Sequence, residues 1–353
     1  MRVVNYLANK GVLFMDIEKI YKSHFMPENY NCLINQDTLK ILTSDKTSQS
    51  QIIFATNDYR ELGYDFIDPI TVDFLKENPT AIIPRIFKSK SIQKDRTSKK
   101  AEVFTPAWIV NKMNNSVDNR WFGSDIKKGS VFNLEMEGNI VYSKWLSRKT
   151  MIPLEDYNKS AKEYIASTRL EITCGEAPYL VSRYDASTGQ YIPVSERVGL
   201  LDRKLRIVNE HFNTEESWLQ AADFACQSCY GYEYQGDSLL LARLNILYTV
   251  ADNFEYKFNK PIDNKHILDI ILICNTISYN LFQMDGLTDC IPTDKEGFDL
   301  NWLSGKSKKE KLKNRHKRKV WIESNGLIPA KIMDWQTREF NEFRKNKTDW
   351  DWN

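Results

Sequence analysis

Three carboxylates stand where an apolar run gives way to a tight turn. They are Glu171, shortly before Cys174-Gly175; Glu233, directly after Tyr230-Gly231-Tyr232; and Asp285, directly before Gly286. An ionised carboxylate only accepts hydrogen bonds, and it does so through two oxygens. That chemistry suits both hydroxyls of a ribose at Glu233 and an adenine amino group at Asp285. In open α/β sheets, ligands bind outside the carboxyl ends of the strands, so a carboxylate at a strand end before a glycine turn is a natural nucleoside site. At Glu171 the Cys174-Gly175 turn offers a small backbone against which the remainder of such a ligand can lie. One acid beside a glycine is usually a solvated turn; three in succession along one chain carry more information.

The elements that must position these residues follow from the surrounding pattern. Between residues 161 and 290, short apolar runs alternate with helical stretches, the alternation of an α/β fold with a largely parallel sheet. After the second turn, Leu239, Leu240, Ala242, Arg243 and Leu247 fall at helical spacing, and the long apolar stretch from Ile267 ends at Asp285-Gly286. The insertion SRYDASTGQYIPVSERVGLLDRKLRIVNEHF, after the first turn, reads as a hairpin plus a helix. Upstream, Pro106 suits the first turn of a helix through PAWIVNKM. Residues 88–100 carry Lys88, Lys90, Lys94, Arg96, Lys99 and Lys100 and read as a linker or exposed loop, which places a boundary near residue 95. The expected division is a small N-terminal accessory region at 1–95, a cofactor-binding domain at 96–300 and a basic C-terminal extension at 301–353. The first holds a helical pattern at Ile17 to Phe25 and an apolar stretch at Gln51 to Ala55. In the last, KVWIESNGLIPAKIMDW reads as one more hairpin.

Composition narrows the class. With 353 residues, 42% hydrophobic and 27% charged, the chain has the apolar content of a globular protein rather than a disordered one. No run approaches the roughly 18 consecutive apolar residues of a membrane span, and the first 25 residues are interrupted by charges and lack a secretory pattern, so the cytoplasm is the expected compartment. The cysteines Cys32, Cys174, Cys226, Cys229, Cys274 and Cys290 are too scattered for a disulfide framework. Only Cys226 and Cys229 have ligand-like spacing, and no second pair or paired histidines accompany them; no metal is expected. The net charge of +2 conceals clustering: a dense run holds Lys306, Lys308, Lys309, Lys311, Lys313, Arg315, Lys317, Arg318 and Lys319.

FTPAWIVNKM (104–113), EITCGEAPYL (171–180), GYEYQGDSLLLARLNIL (231–247) and FQMDGL (282–287) resemble, in order, the cofactor motifs of amino-group DNA methyltransferases, of the kind found as M subunits of bacterial restriction-modification systems. LLLARLNIL is the most specific match. The resemblance covers roughly residues 90 to 290. It implies a Rossmann-like, three-layer methyltransferase fold with a mostly parallel sheet and S-adenosylmethionine as cofactor. Phe104, Thr105 and Pro106 would lie against the methionine end; Glu171, Cys174 and Gly175 would form the acidic-x-x-Cys-Gly loop. Glu233 would bind the ribose and Asp285 the adenine. Where the family usually has a second glycine this chain has Ala177, whose methyl group narrows the space and penalises positive φ.

Such enzymes hold the target amino group with an Asn/Asp/Ser-Pro-Pro-Tyr/Phe sequence, the ring stacking on a flipped base. No Pro-Pro pair exists in this chain, and the catalytic residue is not identified; Asn325, in Ser324-Asn325-Gly326-Leu327, is the nearest candidate for a degenerate substitute. The expected function is that of a DNA methyltransferase subunit acting on an exocyclic amino group, most readily of adenine, with the catalytic loop supplied by a second chain. The competing expectation is a methyltransferase-like scaffold or DNA-binding subunit without activity. A nicotinamide-dependent oxidoreductase is disfavoured because no G-x-G-x-x-G turn is present. Lys308, Lys309, Lys311, Lys313, Arg315, Lys317, Arg318 and Lys319 are the expected DNA-binding residues, set along the phosphate backbone. Trp335, Trp350 and Trp352 are candidates for stacking on bases or, more simply, for anchoring the tail. The partners implied are DNA and a second methyltransferase, specificity or restriction subunit, without a membrane.

Overall fold

The computed structural model describes residues 33–100, 105–136, 144–305 and 307–343. At its centre Cys229–Glu233 forms a strand buried at every position. We number strands and helices in chain order, beginning with helix α1 (Gln36–Thr43), the short pair β1 (Ser44–Asp45) and β2 (Ser50–Gln51), and helices α2 (Val72–Glu77), α3 (Lys90–Lys100) and α4 (Ala107–Phe122). A hairpin of β3 (Asn133–Glu135) and β4 (Trp145–Ser147) and helix α5 (Ala161–Ala166) precede the sheet proper. That sheet comprises β5 (Arg169–Glu171), β6 (Cys229–Glu233) and β7 (Leu281–Gln283), in the order β5-β6-β7 and all parallel.

Parallel neighbours need long crossovers, and each is helical. Between β5 and β6 lie α6 (Leu200–His211) and α7 (Glu215–Gln227); between β6 and β7 lie α8 (Gly236–Phe258) and α9 (Ile267–Asn280). The expected hairpin before α6 is present in miniature, as an antiparallel bridge from Tyr184 to Tyr191 around a turn at Asp185. Helix α8 is buried from Gly236 to Phe254 except at Leu244, the pattern of a helix enclosed by protein on all sides. Within it Arg243 is wholly buried, and its guanidinium donates to the carbonyls of Leu281 at 2.6 Å, Ser44 at 2.8 Å and Ser278 at 3.2 Å. Backbone oxygens thus satisfy this cation and bind α8 to β7, α9 and the end of α1.

Alternate residues of the sheet enter two clusters. Cys229 and Leu281 join the large helical core, whereas Tyr232 and Phe282 pack with Met284, Ala330 and Phe343. The second cluster lies under a C-terminal hairpin of β8 (Lys331–Asp334) and β9 (Glu339–Glu342), joined to the sheet by helix α10 (Lys308–Ser324). The architecture is therefore mixed α/β around a parallel sheet, as expected. Among the described residues, the cluster on the second face lies against the C-terminal hairpin.

Two local expectations need correction. Residues 88–100 are not a linker: they contain α3, and Arg96 is buried between Asp58 and Asp237 while Lys88 pairs with Asp237 at 2.7 Å. A polar segment buries cations when carboxylates placed elsewhere in the chain receive them. The helical core runs on across this segment, from Leu33, Phe54 and Phe74 to Leu239 and Leu281. Likewise KVWIES is not a strand but the last turns of α10, so the hairpin begins only at Lys331. The expected helix at Ile17 to Phe25 lies outside the described residues.

Candidate functional site

The loop leaving β5 is built from three left-handed residues, Thr173 (φ 47°), Gly175 (φ 55°) and Ala177 (φ 62°). Only the middle one is a glycine, so Thr173 and Ala177 hold a conformation that costs an L-residue about 1–2 kcal/mol. What holds them is hydrogen bonding. Glu171 at the end of β5 accepts from the N–H groups of Tyr179 at 3.2 Å and Leu180 at 3.0 Å, closing the loop on itself. Burial pushes this carboxyl up to about 8, against those two N–H groups and with the help of the nearby Glu233 charge.

The same loop reaches the next strand. Cys174 N–H donates to Tyr232 O at 2.8 Å, and Gly175 N–H donates to Glu233 Oε2 at 2.8 Å. Glu233 Oε1 accepts from Gln235 N–H at 3.1 Å. Both oxygens of Glu233 are thus oriented by backbone N–H groups, as acceptors. Beyond β7, Asp285 accepts from Leu287 N–H at 2.8 Å and from the Thr288 hydroxyl at 2.9 Å, and it remains half-buried. Because β5, β6 and β7 are parallel neighbours, their three terminal carboxylates follow one another along one edge of the sheet.

Pro106 caps the N-terminus of α4, and Ala107 N–H donates to Asp185. Asn114, two turns further on, donates to Tyr179 O at 3.0 Å, and the Tyr179 hydroxyl reaches Met113 Sδ at 3.1 Å. The helix opened by Thr105-Pro106 therefore rests on the loop after β5; Phe104 lies outside the described residues. Cys174, Cys226 and Cys229 are buried, and burial raises all three thiols, which makes them poor nucleophiles and poor metal ligands. No metal-binding cluster occurs among the described residues.

Several residues near this edge were not legible as site residues. Glu176, inside the loop, accepts from Arg85 N–H at 2.7 Å and from the Tyr184 hydroxyl, so the segment after Ile82 roofs the loop. Asn245 in α8 donates to Glu176 O at 3.0 Å. The N-terminal glycine of α8, Gly236, donates to Phe54 O at 3.0 Å; a Cβ there would stand 2.0 Å from Ile53 O, so no larger residue fits. Asp237 follows it, wholly buried against Lys88, Arg96 and the Tyr59 hydroxyl. An acid at a helix start was the available signal, but its partners lie some 140 to 180 positions away.

The basic run is helical, and Lys308, Lys309, Lys311, Lys313, Arg315, Lys317 and Lys319 are all exposed. Arg318 instead turns inward to Asp289 Oδ2 at 2.7 Å, and Lys306 lies outside the described residues. Asp289 N–H donates to Asp285 O, so α10 is anchored on the turn that carries the third carboxylate. Asn325 caps α10 and donates to Trp321 O at 2.8 Å. Trp335 donates to Asn280 Oδ1 at 2.8 Å and packs on Tyr279, which anchors the hairpin; Trp350 and Trp352 lie outside the described residues. A cavity of about 170 Å³ sits elsewhere, between α8 and the N-terminal segment, lined by Ile34, Leu75, Ile82, Pro84, Leu241 and Tyr248. It is smaller than the roughly 300 Å³ at which ligand pockets begin, and none of the three carboxylates lines it. Compared with protein-family models, with curated proteins and with solved structures, the chain gives no match in any of the three.

Proposed function

We propose that this chain is the S-adenosylmethionine-binding subunit of a DNA methyltransferase of restriction-modification type, acting on an exocyclic amino group, most readily that of adenine, with the catalytic loop contributed by a partner chain. The observation that carries this reading is the row of turns at the ends of β5, β6 and β7, with Glu233 held by the N–H of Gly175 from the neighbouring loop. The groups present fit the cofactor: a carboxylate oriented by backbone for ribose hydroxyls, a glycine N–H beside it, and a half-buried aspartate for an amino group. Glu233 is itself buried, so a ribose reaches it only by displacing part of its cover. S-adenosylmethionine would supply an activated methyl group. The chain's own residues would bind and orient it, and catalysis would come from alignment with the target nitrogen.

The second reading, a scaffold that keeps the fold without the chemistry, draws on Ala177 at positive φ and on the absent Pro-Pro sequence. Calorimetric titration with S-adenosylmethionine separates the two. Saturable binding is expected for the wild type, and Glu233→Gln and Asp285→Asn should each weaken it about ten-fold or more, since a hydrogen bond to a charged group is worth about 1.5–3 kcal/mol. Absence of binding in a folded sample, with and without duplex DNA, overturns the cofactor reading and leaves the scaffold.

A further inference from the structure

Helix α10 concentrates charge to a degree the whole chain does not. Eight lysines and arginines against Glu310 and Glu323 give it six net positive charges, whereas the entire chain has a net charge of only +2, so the remainder is net negative. Its inner face is fixed. Asn314 donates to the carbonyls of Asn301 at 3.0 Å and Ser304 at 2.6 Å, Trp321 packs on Phe298 and Trp302, Arg318 bonds Asp289, and Ile322 is buried.

The outer face has an order of its own. At about 100° per residue, Lys308, Arg315 and Lys319 fall within about 40° of one another on one flank, and Lys313 and Lys317 lie about 160° away on the other. Between these flanks runs a crest of Lys309, Leu312, His316, Val320 and Glu323, with Leu312 and Val320 exposed at 58% and 48%. Glu323 lies 3.6 Å from Lys319, which offsets its charge. A helix lying along a single phosphate backbone needs one basic flank. Two basic flanks with a partly apolar crest between them match a groove with a phosphate wall on either side.

Resting on the DNA-methyltransferase reading, we infer that α10 enters the major groove of duplex DNA. Lys308, Arg315 and Lys319 face one backbone, Lys313 and Lys317 face the other, and Leu312, His316 and Val320 face the base edges. The dimensions agree: a helix with its side chains is about 10–12 Å across and the major groove about 12 Å wide, while the minor groove, about 6 Å, excludes it. Thymine methyl groups are the apolar feature of that groove, which gives Leu312 and Val320 something to touch. Through Arg318 and Asp289 the docked helix holds the DNA beside the turn of Asp285.

The test is fluorescence anisotropy of the full chain with a labelled 30-bp random duplex over a KCl series. Every phosphate that a substitution leaves without its cation flattens the slope of log K against log[salt] by about 0.9. Changing Lys308, Arg315 and Lys319 together to Ala, and separately Lys313 and Lys317 to Ala, should each flatten it, by up to about 2.7 and about 1.8. Duplex whose cytosines carry glucosylated 5-hydroxymethyl groups, which obstruct the major groove, should bind at least ten-fold more weakly, and netropsin in the minor groove should not compete. Sensitivity of one flank only, indifference to glucosylation, competition by netropsin, or equal affinity for an RNA duplex of the same length would each overturn the inference. Because these positions are exposed, S-adenosylmethionine titration of the same variants judges the cofactor reading independently.

Discussion

Replacing Asp237 by Asn should destabilise the protein more than any single change at the surface, and the structure sets the size of the effect. The carboxylate is wholly buried at the start of α8, 2.7 Å from Lys88 Nζ and 2.7 Å from the Tyr59 hydroxyl, with Arg96 also bonded to it. Burial alone would raise its pKa, but Arg96 and Lys88, by charge and by hydrogen bond, hold it far below the usual carboxylate range. Asn is nearly isosteric, so packing survives while two buried cations lose their shared counter-charge; Arg96 keeps Asp58 at 2.6 Å, and Lys88 keeps no carboxylate among the described residues. Breaking a buried pair from one side costs about 3–5 kcal/mol. An unfolding entropy of about 2.1 cal/mol/K per residue gives about 0.74 kcal/mol/K for this length, so Tm should fall by about 4–7 °C in calorimetry at neutral pH. The folded pKa lies below the unfolded one, so the contribution is complete above about pH 4 and disappears as pH falls. The gap between wild type and Asp237→Asn should therefore close in acid. Adding Lys88→Met to Asp237→Asn should restore part of the loss by removing the stranded cation. A Tm within 1 °C of wild type for Asp237→Asn would refute the view that this cluster fixes the N-terminal segment to α8.

Two further outcomes follow from the sheet and its loop. Ala177→Gly releases an αL penalty of about 1–2 kcal/mol and forfeits one buried methyl worth about 0.8 kcal/mol, so stability should change by less than about 1 kcal/mol; affinity for S-adenosylmethionine should rise, and a large fall in Tm would show that the methyl group, not the backbone, is what the site requires. Lys204 is buried against the carbonyls of Ile165 at 3.0 Å and Ser167 at 2.5 Å, and burial pulls it down to about 8. Its folded pKa lies below the unfolded 10.5, so the penalty is full below pH 8 and lifts as pH climbs toward 10.5. Urea titrations across pH 8 to 10.5 should accordingly show wild-type stability rising by about 3 kcal/mol from this group, whereas Lys204→Met should lack that rise; identical pH profiles would contradict its burial as a cation.

What was legible in the sequence was local. Apolar runs ending in turns fixed the ends of β5, β6 and β7, and the spacing of Leu239, Leu240, Ala242, Arg243 and Leu247 fixed a buried helix, because periodicity reports burial directly. The placement of Glu171, Glu233 and Asp285 at strand ends was legible for the same reason. Their hydrogen bonds were not: that Glu171 closes its own loop, and that Glu233 takes the N–H of Gly175, depends on which strands become neighbours. Residues 88–100 misled because a basic segment looks solvated unless its acids are known, and Asp237 is supplied only when α8 packs against it. KVWIES misled because an apolar face of a helix end and a strand look alike over six residues. The pattern of residues along the chain thus determined the strands of the sheet, the buried helix after Glu233 and where the carboxylates stand. Tertiary structure alone decided which charges are buried as pairs, which face of the sheet the hairpin covers and which flanks of α10 meet solvent, because each depends on partners far away in the chain.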